Sequence, residues 1–220
     1  MVERAFGRPR RAVVGGFVLL AACAGCGSEE PATPSAGTSS SAAAEEPSPD
    51  QPALLRIRPV VDAGPSVPGS GSGGRTFASD GPAVGLEQAS SAYAQLDCAA
   101  VEDGADLSRP EDHAALCTAD DTTRYLLGPA ILDGSQVASA TANEDPTTGE
   151  WGVLLGFDEA AASTWSDYTG THVGENVAFT VDDQVISAPT IQSQITGPTT
   201  VTGQFTEKSA TELAKQLDAG

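Results

Sequence analysis

Cations, aromatic rings and histidine are scarce in this 220-residue chain, and each scarcity closes off a class of function. Eleven Lys and Arg stand against thirty Asp and Glu, a net charge of −19. Nucleic-acid binding needs a basic face, so no nucleic acid is expected as a partner. Electrostatic adhesion to anionic lipid headgroups is excluded on the same ground. The histidines are His113 and His172. His172 sits in the Gly-rich stretch Gly170-Thr-His-Val-Gly174, with no Ser or Cys nucleophile motif beside it, and reads as a solvated side chain. No catalytic residue is expected and the protein is not read as an enzyme. Of the cysteines, Cys117 has His113 near it, but one His and two Cys at this spacing match no zinc pattern. The acidic pairs Asp120-Asp121, Glu144-Asp145 and Asp182-Asp183 lack the alternating spacing of a calcium loop and read as solvated turns. No metal and no cofactor is implied. Trp151 and Trp165 are expected in the core rather than on a binding platform.

The amino terminus supplies a setting. Arg4, Arg8, Arg10 and Arg11 form a basic region, and Ala12–Ala22 is an uncharged, mostly apolar run too short to span a bilayer. Residues 1–22 are therefore a predicted signal peptide. Leu-Ala-Ala-Cys23 matches the lipobox of bacterial lipoproteins, and Arg10-Arg11 leaves the Sec and twin-arginine routes both open. Cys23 is the favoured lipidation site. Cys26 is the alternative, because lipidation there would remove Cys23 with the signal and leave no odd thiol. Against Cys26, its minus-three residue would be Cys23 instead of an apolar side chain. The predicted location is the extracytoplasmic face of the cell membrane, held by a lipid anchor. No apolar run of membrane-spanning length follows the signal.

In that oxidising compartment Cys98 and Cys117 are expected to form a disulfide, worth about 3 kcal/mol for a loop of this size. Four basic residues and one acidic residue leave with the signal. The remainder carries 7 basic against 29 acidic residues, or −22. That suits the surface of an exported protein and would favour a basic or unfolded cationic partner over an anionic one.

Organisation follows from composition. Residues 23–52 are rich in Ser, Ala, Pro and Glu and cannot bury enough apolar surface to fold; they read as a disordered tether reaching about 30 Å as a flexible coil. Residues 53–81 read as a strand with Leu55 and Ile57 alternating against Arg56 and Arg58, followed by a Gly/Ser/Pro-rich linker. Residues 82–220 read as the folded domain. Leu86, Ala89, Tyr93 and Leu96 share a helical face. Val137–Ala142 and Trp151–Phe157 read as an antiparallel pair. Asp158 caps a helix with Ala161, Ala162, Trp165 and Tyr168 on one face. Val177, Phe179 and Val181 alternate before a tight turn at Asp182-Asp183. Thr199–Phe205 is β-rich, and Thr206 caps a last helix with Ala210, Leu213, Ala214 and Leu217 at i, i+3, i+4, i+7. The predicted class is α+β, a mainly antiparallel sheet with two or three helices packed on it.

The order of landmarks is informative: Tyr125-Leu-Leu-Gly-Pro129, Trp151-x-Val-x-Leu-x-Phe157, Val185-Ile-Ser-Ala-Pro189, Ile195-Thr-Gly197, Thr202-Gly-x-Phe-Thr206 and Ala210-x-x-Leu-Ala214. This set resembles the head subdomain of the first periplasmic domain of SecD, from the SecDF accessory complex of protein export, best over 125–220. The resemblance implies a non-catalytic, polypeptide-contacting module, with exported chains or Sec translocon components as partners. It does not carry over proton-driven translocation, for which SecD uses membrane helices and acidic residues within them. The family's usual Asp-Gly turn is Asp182-Asp183 here, a replacement that costs more at a positive φ. An envelope scaffold or ligand-binding lipoprotein unrelated to export is the alternative, since fold does not fix function.

Overall fold

The computed structural model describes residues 53–69, 81–101 and 107–218. The signal peptide, the Cys23 and Cys26 lipidation sites and the tether lie outside the described residues. None of the described helices is long and apolar enough to cross a membrane.

The fold is α+β, and its strands divide between two sheets rather than one. The organising element is β1 (Leu55–Pro65), eleven residues long. Its first half pairs antiparallel with β7 (Val177–Val181), Leu55 opposite Val181 and Pro59 opposite Val177. After a register shift between Val60 and Asp62 its second half pairs with β3 (Thr123–Leu127). Pro59 stands just before that switch. It has no N–H to give a ladder, but its carbonyl accepts from Gly128 N at 3.0 Å. A Cβ on Gly128 would meet Pro59 Cγ at 2.7 Å, so glycine is required for this approach.

The pairings close a ring. β3 joins β2 (Ala114–Thr118), β2 lies parallel to β8 (Gln184–Ser187), β8 turns back to β7, and β7 returns to β1. The two-residue β4 (Leu132–Asp133) pairs with the start of β1. Strand alternation then sorts side chains into separate cores. Inward from the ring point Ala114, Leu116, Leu127, Ala178 and Val185, all buried. On the outer side of β2 and β3, Ala115, Cys117 and Leu126 meet α1 (Leu86–Ala94) through Ala89 and Tyr93. Leu86 is 46% exposed, so the helical face expected from the sequence is used only at Ala89 and Tyr93, with Leu96 buried beyond the helix end. Arg124 holds the helix from below, its guanidinium carbon 4.4 Å from the Tyr93 ring centroid and its Nη1 donating to the Tyr93 carbonyl.

The largest core lies between the outer face of β1 and β7 and a second sheet, β5 (Val137–Glu144), β6 (Trp151–Phe157) and β9 (Thr199–Phe205). Into it α2 (Glu159–Thr171) inserts Ala161 and Trp165, and α3 (Glu207–Asp218) inserts Ala210, Leu213, Ala214 and Leu217. The ends of both helices are satisfied locally. Asp158 accepts from Ala161 N at 2.8 Å, and Thr206 and Ser209 exchange side-chain and backbone bonds. Trp165 is 1% exposed, edge-on to Phe157 and Phe179, and its indole N–H donates to Thr199 Oγ1 at 2.8 Å. Trp151 is half-buried against the same core.

Candidate functional site

Two features stand where β1 leaves the ring: a buried polar cluster and a cavity. The cluster corrects the expectation of a strand with polar arginines on its far side. Arg56 and Arg58 face the ring interior and are 7% and 0% exposed. A buried guanidinium is tolerated only when paired and hydrogen-bonded, and the chain supplies both. Arg58 donates from Nη1 to the carbonyls of Asp112 at 2.5 Å and Gly128 at 3.0 Å, and from Nη2 to Arg109 O at 2.8 Å and Ser108 Oγ at 3.1 Å. Burial pulls its guanidinium down to about 10, with the Asp183 carboxylate acting the other way.

Arg56 donates from Nη1 to Asp183 Oδ1 at 3.1 Å and to Ser108 Oγ at 3.4 Å. Asp183 also accepts from the Ser108 hydroxyl at 2.6 Å and from Ser108 N. Asp183 was expected in a solvated turn; it is fully buried, while Asp182 beside it is exposed. Both have positive φ, 49° and 60°, as the tight β7–β8 turn demands. The strain is tolerated because both carboxylates are engaged: Asp182 accepts from Leu54 N at 3.0 Å, and Asp183 is the counter-charge of the ring arginines.

A second pair pins the neighbouring segments. Asp112 accepts from Val84 N at 2.7 Å, Arg109 N at 2.8 Å and Arg109 Nη2 at 3.0 Å. Burial alone would raise this carboxyl, but the Arg109 guanidinium and the two backbone N–H groups outweigh it and hold it below the usual range. Arg109 in turn donates to the carbonyls of Gly81 and Pro82.

Beside the cluster lies a cavity of about 360 Å³, within the range of small-ligand sites. Ala53 to Arg56 form one wall, Pro110 and the Asp133–Ser135 turn a second, and Gln216 and Leu217 of α3 a third. The lining is mostly apolar. Asp133 turns its carboxylate to the adjacent 3-10 turn, where Ser135 N and Oγ donate to it at 2.9 and 2.5 Å.

The residues singled out in the sequence lie elsewhere. Cys98 and Cys117 are joined at 2.04 Å between sulfurs, tying the segment after α1 to β2. His113 is half-buried and its backbone N–H donates to Val84 O at 2.9 Å. His172 caps α2 at its C-terminus, stacked 3.9 Å from the Tyr168 ring and not free in a loop. Burial, with Glu175 nearby, pushes the Tyr168 hydroxyl up. Asp120 and Asp145 close turns with Thr122 and with Thr147 and Thr148. Among the described residues no cluster of His, Cys, Asp and Glu could hold a metal. Sequence reasoning missed Arg56, Arg58, Ser108, Asp112 and Asp183 as a unit. The available signal was two arginines in an apolar strand of a chain with few cations.

Residues 113–220 match the model of the SecDF P1 head subdomain. Residues 113–220 form a SecD-head-like domain. The protein translocase subunit SecD of Mycobacterium tuberculosis is 43% identical over 108 residues, covering 47% of this chain and 19% of that protein. SecD of Acetobacter pasteurianus is 41% identical over 90 residues, 40% of this chain and 17% of the relative. The matched part thus spans about a fifth of these relatives. A crystal structure of SecDF in its super-membrane-facing form is 26% identical with a TM-score of 0.48, covering 77% of this chain and 19% of that one. The family-model match begins at His113, so β1 and α1 lie outside that match although β1 forms the ring with matched strands.

Proposed function

We propose that the protein is an extracytoplasmic lipoprotein whose SecD-head-like domain is a non-catalytic binding module for exported polypeptides or for components of the Sec translocon. The observation that carries this reading is the 43% identity to a translocase subunit over 108 residues. The anchor is a diacylglycerol on Cys23, with Cys26 as the alternative site, and it holds the domain on the outer face of the cell membrane. No proton-driven step is assigned, because only the head region is shared. The described residues offer an apolar cavity bordered by a buried cation, which suits binding.

In-cell photo-crosslinking of the full-length lipoprotein, followed by mass spectrometry, tests the reading. Recovery of translocon subunits or of many unfolded exported chains is the expected outcome. Recovery of a single envelope protein, or of cell-wall material alone, would instead establish a scaffold or ligand-binding role and remove the export reading. Radiolabelled palmitate fed to the same cells should label the wild-type chain and not Cys23→Ala.

A further inference from the structure

Arg56 lines the cavity and has hydrogen-bonding capacity that no described protein group fills. Its Nη1 serves Asp183 and Ser108, but Nε and Nη2 have no protein partner among the described residues. Arg58 Nε is also unpaired, but it is fully buried and Arg58 does not line the cavity; Arg56 does. The Arg56 side chain is only 8% exposed, so its position is fixed by the fold.

Charge points the same way. Two guanidinium groups, Arg56 and Arg58, share one ring-facing carboxylate, Asp183, while Asp112 is taken by Arg109 and Glu111 is exposed. Among the described residues the inner cluster therefore carries a surplus positive charge in a strongly acidic molecule. Asp133 also borders the cavity, but its carboxylate is occupied in capping Ser135. Ala53, Leu54, Leu55, Pro110 and Leu217 supply an apolar wall beyond the cation.

We propose that this cavity binds a monocarboxylate with an apolar tail, the carboxylate on Arg56 Nε and Nη2 and the tail along Leu55, Pro110 and Leu217. A planar guanidinium with two adjacent free N–H groups matches a carboxylate's two oxygens. The same chemistry is offered by a free short-chain acid and by the C-terminal carboxylate of a polypeptide ending in an apolar residue. This assignment does not depend on an export role.

Calorimetric titration of the full-length chain carrying Cys23→Ala and Cys26→Ala, and so free of lipid, provides the test. Hexanoate should bind saturably and about tenfold more tightly than hexanol or hexylammonium, the scale of one charge-assisted hydrogen bond. Arg56→Lys keeps the charge but loses the fork, and should weaken hexanoate by a similar factor. Gln216→Trp, which narrows the mouth from α3 and leaves the ion pair alone, should abolish binding, and it serves if Arg56→Lys does not fold. A peptide ending in a free leucine carboxylate that outcompetes hexanoate, while its amide does not, identifies the source as a polypeptide terminus; binding of the free acid alone identifies a small metabolite. Equal binding of hexanoate and hexanol, or no binding of any carboxylate, overturns the proposal.

Discussion

Asp183 shows how one side chain can hold a turn, a strand and a loop together. Its backbone stands at φ 60°, where glycine would be easier, yet its carboxylate is the counter-charge for Arg56 and the acceptor for Ser108. Removing one member of a buried pair costs more than the pair contributes, because the survivor stays buried and uncompensated. Asp183→Ala should therefore lower stability by about 3–5 kcal/mol, read as a drop in the urea midpoint. A neutral outcome would mean that the turn behaves as the solvated one expected from its sequence. That expectation failed for a physical reason: consecutive aspartates in a hairpin turn look the same whether a cation waits beneath them or not, and the cation comes from residue 56. Asp112 makes a separate prediction. Its folded carboxyl is depressed, so the stability it adds is complete above the unfolded value of about 4 and is lost as pH falls through the lower folded value. Acid unfolding followed by circular dichroism should show this loss below about pH 4, and Asp112→Asn, less stable at neutral pH, should show a flatter acid limb. A parallel acid limb in the variant would remove Asp112 from the linkage.

At the scale of elements, legibility tracks how local the burial is. The face of α3 could be read completely, since Ala210, Leu213, Ala214 and Leu217 repeat at helical spacing and all four are buried. The strands β6 and β9 were legible by alternation and by the turns that bound them. β1 was located but misjudged, because its first four residues alternate in polarity yet are buried on both faces, so that Arg56 and Arg58 imitate a solvent side. Its place in the ring depends on β7 and β3, both far away in sequence. The cavity is illegible for the same reason, assembled from β1, the Asp133–Ser135 turn and the end of α3. The segment around α1 depends on a different device. Only Ala89 and Tyr93 of this nine-residue helix are buried, too little to dock it firmly, and the Cys98–Cys117 bond ties the chain just beyond it to β2. Cys98→Ser with Cys117→Ser should cost about 3 kcal/mol, measured by denaturant unfolding under oxidising conditions. The same variant should match the reduced wild type; a double mutant as stable as the oxidised protein would show that α1 is held by packing alone.

Taken as a whole molecule, the described residues turn most of their few cations inward and leave most acids outside, Asp97, Asp112 and Asp183 being buried. Arg56 and Arg58 are buried in the ring, and Arg109 and Arg124 are engaged with Asp112 and Tyr93. The exposed cations among the described residues are Lys208 and Lys215, both on α3, whereas exposed carboxylates occur from Asp62 to Asp218. The surface is accordingly more one-sided than the composition. Mutual repulsion of exposed carboxylates opposes the compact state, and it is screened within about 10 Å at 0.1 M salt. The buried Arg56–Asp183 pair is shielded from that screening. Salt should therefore remove more repulsion than attraction, and the melting temperature should rise between about 0.01 M and 0.5 M sodium chloride, most steeply at the low end where the screening length changes most. A fall in melting temperature over that range would mean that attractive surface pairs dominate. The same experiment with a cationic model peptide present separates surface from site: screening should weaken any association driven by the acidic surface, while the apolar part of binding in the cavity should persist.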